Sequence, residues 1–491
     1  MPGLVSLTCH LAILLFLVPL VISNLISIIE QIMSYQQIAE GKKGDKMKIC
    51  IVGGGGGANN AANVIRRLDE KAQIDLFDKR SEIGHEPCEI PYVLSGFLSS
   101  WQDSFVFRPK FYSERNINVH LNTEVTDIIR EEKRLVAGGK SYSYDKAILD
   151  LGSISIIPPI PGLDGQSEFV LDTSLSTARV FEEAIPRYSS AAIVGVGQIA
   201  LDVAEVLKTR NYDKVYLLGR ADRVLRAYLD KDMAEVIKRR IEQRGIKLIL
   251  SAKINSIKSR NGKKIISLPE RELEVDFVLF ATGSKPNVEL ARKAGLKIGE
   301  SGAIAVNEYL QTNDPDIYAI GDCMENWDRI TGSKRIYQTA TSGATTGRIA
   351  ATNLVLGNIL PHQGTVMTFI TEIFDYEVGA AGFTETHAQE QGLNVVCNIM
   401  RTATRRRSYG GKPIHIKLIA DGKTQSLLGV QIISGEMVSG KLDRLALAIA
   451  EKIPVERLAL IDTCYSPTLG SAYESTIMAL DQLLSKLRQR G

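Results

Sequence analysis

A single cysteine stands in the stretch GHEPCEIPYVLSG, where Cys88 follows Pro87 and lies between Glu86 and Glu89. A free thiol in such a place either packs as a small hydrophobe or acts as a redox nucleophile, and the second role requires a thiolate. A position that leads into a helix N-terminus lowers a thiol pKa, whereas nearby glutamates oppose that effect. Cys88 is therefore the first candidate for chemistry in this chain.

The other cysteines form neither a CxxC pair nor the paired spacing of a zinc site: Cys9, Cys50, Cys323, Cys397 and Cys464. Such scatter is typical of a reduced, intracellular protein, so no metal and no disulfide framework is predicted. Most of these thiols are interpreted as structural. Cys464 differs because it is next to Tyr465, in CYSPTLGSA.

The elements that must position Cys88 begin with KICIVGGGGGANNAANVIRRLDEKAQIDLFDKR, which predicts a strand, a glycine turn, a helix and a second strand. The glycines permit a tight turn and let the backbone approach a pyrophosphate at the helix N-terminus. The acid that ends the second strand is placed to bind a ribose. The predicted cofactor-binding residues of this unit are Gly53, Gly55, Gly57, Ala58, Asp78 and Lys79.

A second βαβ unit is predicted in AAIVGVGQIALDVAEVLKTRNYDKVYLLGRADRVL, with fingerprint residues Gly195, Gly197 and Ala200. Gly219 and Arg220 occupy the place where an acidic ribose ligand would stand. The lack of an acid, together with Arg220, Arg223 and also Arg226, favours the 2′-phosphate of NADPH, with NADH as the alternative. These arginines could instead form only a solvated surface.

Two further motifs complete a recognisable pattern: FATGSKPN, which contains Gly283, and IYAIGDC, which delivers Asp322 at the end of a strand. With the two fingerprints, they resemble the FAD-dependent pyridine nucleotide-disulfide oxidoreductases, over Met47 almost to the C-terminus. The resemblance implies that Asp322 contacts the ribityl chain of FAD. It also implies a homodimer whose active site is completed by the partner chain.

The branch of this family is indicated by Cys88, because the CxxxxC pair and the His-Pro-Thr signature of the dithiol branches are absent. Cys88 looks like the single redox cysteine of the coenzyme A disulfide reductase, NADH oxidase and NAD(P)H sulfur reductase group. The resemblance makes Tyr465 the counterpart of a tyrosine that reaches the neighbouring subunit's cysteine. Arg66 and Arg67 resemble a basic pair that meets coenzyme A phosphates, with plain surface charge as an equal alternative.

The expected activity is NAD(P)H- and FAD-dependent reduction of coenzyme A disulfide, or of coenzyme A persulfide and polysulfide. Cys88 would carry a mixed disulfide with the thiol substrate. One alternative is an NAD(P)H oxidase in which Cys88 cycles through a sulfenic acid. A second is a membrane-tethered flavin electron carrier.

The fold class predicted is α/β, with two Rossmann-like units and a C-terminal α+β dimerisation domain. Residues 47–158 and 281–360 are assigned to FAD, residues 159–280 to NAD(P)H and residues 361–491 to dimerisation. The linker IIPPIPG, Ile156 to Gly162, marks the first crossing because its prolines disfavour a helix.

Composition limits the remaining possibilities. The 491 residues carry 59 basic and 56 acidic side chains, a net charge of +3, so no nucleic-acid partner is predicted. Residues 1–46 are a hydrophobic extension, interpreted equally as an anchor through residues 4–29 or as a false start before Met47. If the anchor exists, the lysines after the apolar run would leave the enzyme domain on the cytoplasmic side, and the expected location is the cytoplasm.

Overall fold

A computed structural model describes residues 46–490 of the chain. The predicted membrane span over residues 4–29 lies outside the described residues. Within residues 46–490, no helix is both long and apolar enough to cross a membrane.

Twenty-five strands are found in the described part of the chain. The first nine are β1 Lys48–Val52, β2 Gln73–Phe77, β3 Ile117–His120, β4 Val125–Ile129, β5 Arg134–Ala137, β6 Lys140–Ser143, β7 Lys146–Leu149, β8 Ser153–Ser155 and β9 Glu168–Val170. The next nine are β10 Ser190–Val194, β11 Lys214–Leu218, β12 Lys247–Ile249, β13 Ser256–Arg260, β14 Lys263–Ser267, β15 Glu272–Val275, β16 Phe277–Phe280, β17 Ser284–Pro286 and β18 Ile317–Ala319. The last seven are β19 Asn326–Trp327, β20 Lys334–Arg335, β21 Phe369–Ile373, β22 Tyr376–Gly382, β23 Val395–Ala403, β24 Pro413–Asp421 and β25 Leu427–Ser434.

The helices between these strands are α1 Gly56–Leu68, α2 Ile90–Ser95, α3 Pro109–Glu114, α4 Leu175–Ala184, α5 Gln198–Thr209, α6 Lys231–Gln243, α7 Glu289–Lys293, α8 Ala340–Leu356, α9 Glu385–Glu390, α10 Ser439–Ala450, α11 Val455–Ala459 and α12 Ser475–Arg490. Short 3-10 turns span Pro87–Glu89, Trp101–Ser104, Ile185–Arg187, Gly321–Cys323 and Arg407–Tyr409.

The first unit is built on a parallel sheet of order β18-β7-β1-β2-β3. β1 is buried after its first residue, as expected for a strand covered on both faces. Helix α1 packs on one side of this sheet and against α8. β18 belongs to this sheet although it lies beyond the second unit in the chain, so the first unit is interrupted by the second.

The second unit repeats the plan with a sheet of order β12-β11-β10-β16-β9. The strand β10, SAAIV, is buried throughout. The chain enters and leaves this unit through the antiparallel pair β8 and β17, where Ser155 lies opposite Ser284.

The C-terminal unit has an antiparallel sheet of order β21-β22-β25-β24-β23, with α10 and α12 packed on it. Glu474, just before α12, is buried with ion pairs to Lys441 at 2.5 Å and Arg444 at 2.9 Å. These partners hold the pKa of Glu474 down to about 2, although burial alone would raise it. The predicted α/β class with two Rossmann-like units and a C-terminal α+β unit is confirmed.

Candidate functional site

The first glycine turn comes directly after β1. Gly53 has a φ of +100°, and an added Cβ would lie 2.0 Å from the carbonyl oxygen of Asp150, so no other residue fits without a shift. Gly55 is the N-cap of α1 and has no side chain to satisfy the first amides of that helix. These amides are the groups that a dinucleotide phosphate would bind, and a Cβ on Gly56 would meet nothing within 4 Å.

Helix α8 closes on the same turn. A Cβ on Gly347 would lie 2.2 Å from the backbone oxygen of Gly57, so the two helices touch through their backbones. The amide of Ala58 donates a hydrogen bond of 2.8 Å to the carboxylate of Asp150. Burial nevertheless raises the pKa of Asp150 to about 7. The turn is thus lined by the Asp150 carboxyl group, which the Ala58 amide holds in place.

Asp78 directly follows β2, as predicted. Its carboxylate accepts a hydrogen bond of 2.7 Å from the Gly54 amide. Arg80, which sequence reasoning missed, donates to both oxygens of Asp78, from Nε at 2.9 Å and from Nη2 at 2.7 Å. This ion pair helps to hold the pKa of Asp78 below its ordinary value, against the effect of burial. Lys79 is exposed beside them. A ribose hydroxyl would therefore meet a carboxylate already fixed by a cation.

Asp322 lies in the 3-10 turn after β18. Its carboxylate accepts a hydrogen bond of 3.1 Å from the Ser153 hydroxyl. Burial raises the pKa of Asp322, and its charge in turn raises the pKa of Asp150, so both acids face the same region. Gly283 has a φ of +97° in the turn after β16, with nothing within 4 Å of an added Cβ.

The second glycine turn comes directly after β10. Gly195 has a φ of +139°, and an added Cβ would lie 2.1 Å from the carbonyl oxygen of Ala281. Gly197, the N-cap of α5, is exposed with open space around it, and Ala200 is fully buried against the sheet. The turn has the shape that a pyrophosphate at a helix N-terminus requires.

The three arginines that follow β11 differ in their exposure to solvent. Arg220 and Arg226 are exposed. Arg223 is only 7% exposed, and its guanidinium donates to the Leu229 carbonyl at 2.9 Å and to Asp222 at 3.1 Å. Arg223 is therefore occupied by contacts within the protein, which the sequence pattern did not indicate.

Cys88 lies in the 3-10 turn Pro87–Glu89, immediately before α2, and is exposed. The protein packed around the turn nevertheless raises the pKa of this exposed thiol, first by partly desolvating it and then through the charges of Glu86, Asp202, Asp322 and Glu89. The helix that follows has only six residues, so its dipole offers little to offset four carboxylates. In the protein alone, desolvation and the four carboxylates act together to raise the thiol pKa.

Asp202 on α5 is a second residue that sequence reasoning missed. Burial and the neighbouring Glu205 raise the pKa of Asp202 to about 7, against the effect of a hydrogen bond from the Thr371 hydroxyl. Asp202 also raises the pKa of Tyr92 on α2. It is the eighth residue of the second fingerprint, GVGQIALD, but only the folded chain brings its charge near enough to raise the pKa of Cys88.

Arg66 and Arg67, which resemble a basic pair that meets coenzyme A phosphates, differ in their contacts and exposure. The Arg66 guanidinium donates to five backbone carbonyls, including those of Arg115 at 2.7 Å and Glu70 at 2.6 Å. This geometry favours a structural role for Arg66, whereas Arg67 is exposed.

Tyr465 lies in an extended stretch of the C-terminal unit and is 55% exposed. Its hydroxyl makes no hydrogen bond within residues 46–490. Large apolar side chains around it are also exposed, among them Leu460 and Leu469, and Cys464 is exposed too. A second copy of the chain could cover such a surface.

These features define an oxidoreductase with two dinucleotide sites. They are a glycine turn with a fixed acid at its second strand, a second glycine turn, and an exposed thiol that lies between the two turns in the sequence. The residues fit FAD in the first site, because the turn offers free backbone amides and close helix packing.

Comparison with known families agrees. Residues 47–347 match the pyridine nucleotide-disulphide oxidoreductase family, and residues 369–477 match its dimerisation domain. The chain belongs to the pyridine nucleotide-disulphide oxidoreductase family.

Two relatives show how similar the whole chain is. The NADH oxidase of Methanocaldococcus jannaschii is 34% identical over 455 residues, covering 90% of this chain and all of that protein. The CoA-dependent NAD(P)H sulfur oxidoreductase of Pyrococcus furiosus is 32% identical, covering 88% of this chain and 98% of that protein.

Two solved structures are similar as well. The NAD-dependent persulfide reductase from A. fulgidus is 30% identical with a TM-score of 0.87, covering 90% of this chain and 84% of that one. An engineered water-forming NADPH oxidase, derived from the Lactobacillus brevis NADH oxidase, is 25% identical with a TM-score of 0.86, covering 90% and 100%.

The protein is thus a flavin-dependent pyridine nucleotide-disulphide oxidoreductase that uses FAD and NAD(P)H. The predicted family, enzyme class and cofactors are confirmed. The dimerisation domain supports a homodimer.

Proposed function

We propose that the protein reduces coenzyme A disulfide, or coenzyme A persulfide and polysulfide, through Cys88. The observation that carries this proposal is the exposed thiol of Cys88, in a turn that leads into α2, the helix that packs on the second nucleotide unit. By contrast, Cys50 and Cys323 are buried, and burial raises the pKa of each thiol to about 12. Relatives named CoA-dependent sulfur oxidoreductase and coenzyme A disulfide reductase support the substrate class.

The chemistry proposed for Cys88 is thiol–disulfide exchange. The Cys88 thiolate attacks one sulfur of the substrate disulfide, the substrate S–S bond breaks, and one thiolate leaves and takes a proton. A mixed disulfide between Cys88 and the second thiol remains. FAD, when bound, transmits the two electrons of NAD(P)H that reduce this bond. The second thiol then leaves, and the Cys88 thiolate is restored.

The residues around Cys88 would control proton placement. Desolvation and, after it, the carboxylates of Glu86 and Asp202 raise the pKa of the Cys88 thiol in the protein alone. Tyr465 of a second copy is proposed to donate a hydrogen bond to the departing sulfur. Arg67 is proposed to meet a coenzyme A phosphate, whereas Arg66 is held by carbonyls.

NADPH is proposed as the preferred reductant. An added Cβ on Gly219 would lie 2.7 Å from two methyl carbons of Val196, so packing disfavours an acid at the end of β11. The engineered NADPH oxidase loses an aspartate, gains an arginine directly after it and gains another six positions later. Arg220 and Arg226 have that same spacing after Gly219. Because Arg223 is buried, Arg226 takes the role first predicted for Arg223.

An NAD(P)H oxidase is the second candidate, favoured by the M. jannaschii relative named NADH oxidase. In this activity Cys88 would cycle through a sulfenic acid while oxygen accepts the electrons.

Anaerobic turnover with coenzyme A disulfide and with polysulfide, compared with aerobic turnover on oxygen alone, separates the candidates. We expect the sulfur acceptors to be faster, and Cys88→Ser to abolish their reduction. Cys397→Ser, which alters a free, half-buried thiol on β23 away from the Tyr465 segment, is the control and should retain activity. A turnover much larger with oxygen would refute the reductase proposal.

A further inference from the structure

The helix that follows Cys88 is buried in the second unit rather than in the first. Ile90 and Leu94 of α2 belong to the same apolar cluster as Phe181 of α4 and Val203 of α5. The core of the first unit is a separate cluster around β1 and β2. The nucleotide-binding unit that does not contain Cys88 in its sequence therefore supplies the packing beneath the thiol.

Arg210 fixes the end of α2. It caps α5, and its guanidinium donates from Nε at 3.0 Å and from Nη2 at 2.9 Å to the carbonyl oxygen of Leu94. The last carbonyls of a helix have no partner within the helix, so a charged donor with two bonds to one of them holds that end firmly. Arg210 makes these contacts across a sequence distance of 116 residues.

Further bonds hold the chain on both sides of Cys88 to the same unit. Arg179 forms two bonds to Glu82, at 2.6 and 3.1 Å. The indole of Trp101 donates 2.7 Å to Glu182. A third bond joins the ring of His85 to the Thr173 carbonyl at 2.8 Å, in which the histidine nitrogen is the donor because a carbonyl only accepts.

Helix α5 also connects this contact to the second glycine turn. It spans the 12 residues Gln198–Thr209, or about 18 Å, between its N-cap Gly197 and its C-cap Arg210. The charge of its Asp202 contributes to the raised pKa of the Cys88 thiol, and the helix packs against α2 in the same apolar cluster. One helix thus contacts both the nucleotide turn and the segment of the redox cysteine.

We infer that Arg210 is a positioning residue for Cys88, which fixes α2 and thereby the place and reactivity of the thiol. This inference rests on the proposed function only in taking Cys88 as the redox residue. Arg210 does not contact substrate or cofactor in this proposal. It acts through the Leu94 carbonyl and the packing of α2 on α5.

The test uses the FAD-loaded enzyme and the variants Arg210→Met and Arg210→Lys. Two rates are measured: alkylation of Cys88 by iodoacetamide, followed by peptide mass spectrometry, and anaerobic flavin reduction by NADPH. We expect Arg210→Met to change the alkylation rate about tenfold, the effect of losing a charge-assisted hydrogen bond, with flavin reduction within about twofold of wild type. Arg210→Lys should recover part of the wild-type rate, because lysine keeps one charged donor.

Arg240→Met is the matched control, since the Nε of Arg240 also donates to a carbonyl, that of Phe374 at 2.9 Å. It should leave alkylation of Cys88 unchanged. Wild-type alkylation in Arg210→Met would overturn the inference, and so would an equal change in Arg240→Met. If Cys88→Ser leaves sulfur reduction intact while Arg210→Met still alters alkylation, the proposed function fails and the positioning role stands.

Discussion

The nucleotide preference offers a quantitative test through Arg220→Gln. Arg220 is exposed and follows Gly219, which cannot be an acid without displacing Val196. A hydrogen bond between a charged donor and a phosphate contributes about 1.5–3 kcal/mol. Because solvent screens an exposed arginine, we expect the lower end, about 1.5 kcal/mol, which corresponds to about a tenfold loss.

The assay is anaerobic flavin reduction, with kcat/KM determined separately for NADPH and NADH. Arg220→Gln should lower the NADPH value about tenfold and leave the NADH value nearly unchanged, because NADH lacks the 2′-phosphate. Arg239→Gln removes another exposed arginine of the second unit, one that pairs with Glu235, and should change neither value. An equal loss for both nucleotides, or a wild-type enzyme that prefers NADH, would refute the reasoning.

Three other predictions concern packing and pH. Gly347→Ala should destabilise the protein by about 1–3 kcal/mol in denaturant unfolding, since the new Cβ would meet the backbone of α1, whereas Gly56→Ala has open space and should cost much less. Glu474→Gln should lower the free energy of unfolding at pH 7 by up to about 3 kcal/mol. The pKa of Glu474 is depressed in the folded protein, so its carboxylate stabilises the fold at any pH above its unfolded pKa of about 4.5. This contribution is lost as the pH falls towards 2. A difference that does not shrink in acid would contradict this. Asp202→Asn should shift the pH profile of the Cys88 alkylation rate to lower pH, because removal of this carboxylate lowers the pKa of the thiol. An unchanged pH profile would show that Asp202 does not act on the thiol.

Local patterns were sufficient to predict the two nucleotide turns. Gly53 and Gly195 are required by backbone conformation and by the close approach of a neighbouring strand, and both constraints are visible as a glycine between a buried strand and a helix. Asp78 and Asp322 follow from the same logic, since each ends a strand. The fold class was predictable because these units repeat within the chain.

Other features depend on contacts between distant segments. The burial of Arg223 and the five carbonyl contacts of Arg66 come from the way loops return to a helix. Asp202 and Arg210 become relevant to Cys88 only because α2 packs on α5. A side chain's sequence neighbours do not contain that information, so sequence reasoning could place the thiol but not its surroundings.

In the function that we propose, Cys88 passes electrons to a sulfur acceptor. The most direct measurement compares wild type and Cys88→Ser in two steps: anaerobic flavin reduction by NADPH, and steady-state reduction of coenzyme A disulfide. Flavin reduction should persist in the variant while disulfide reduction falls to the background rate. Disulfide reduction at the wild-type rate without the Cys88 sulfur would show that Cys88 is not the redox residue.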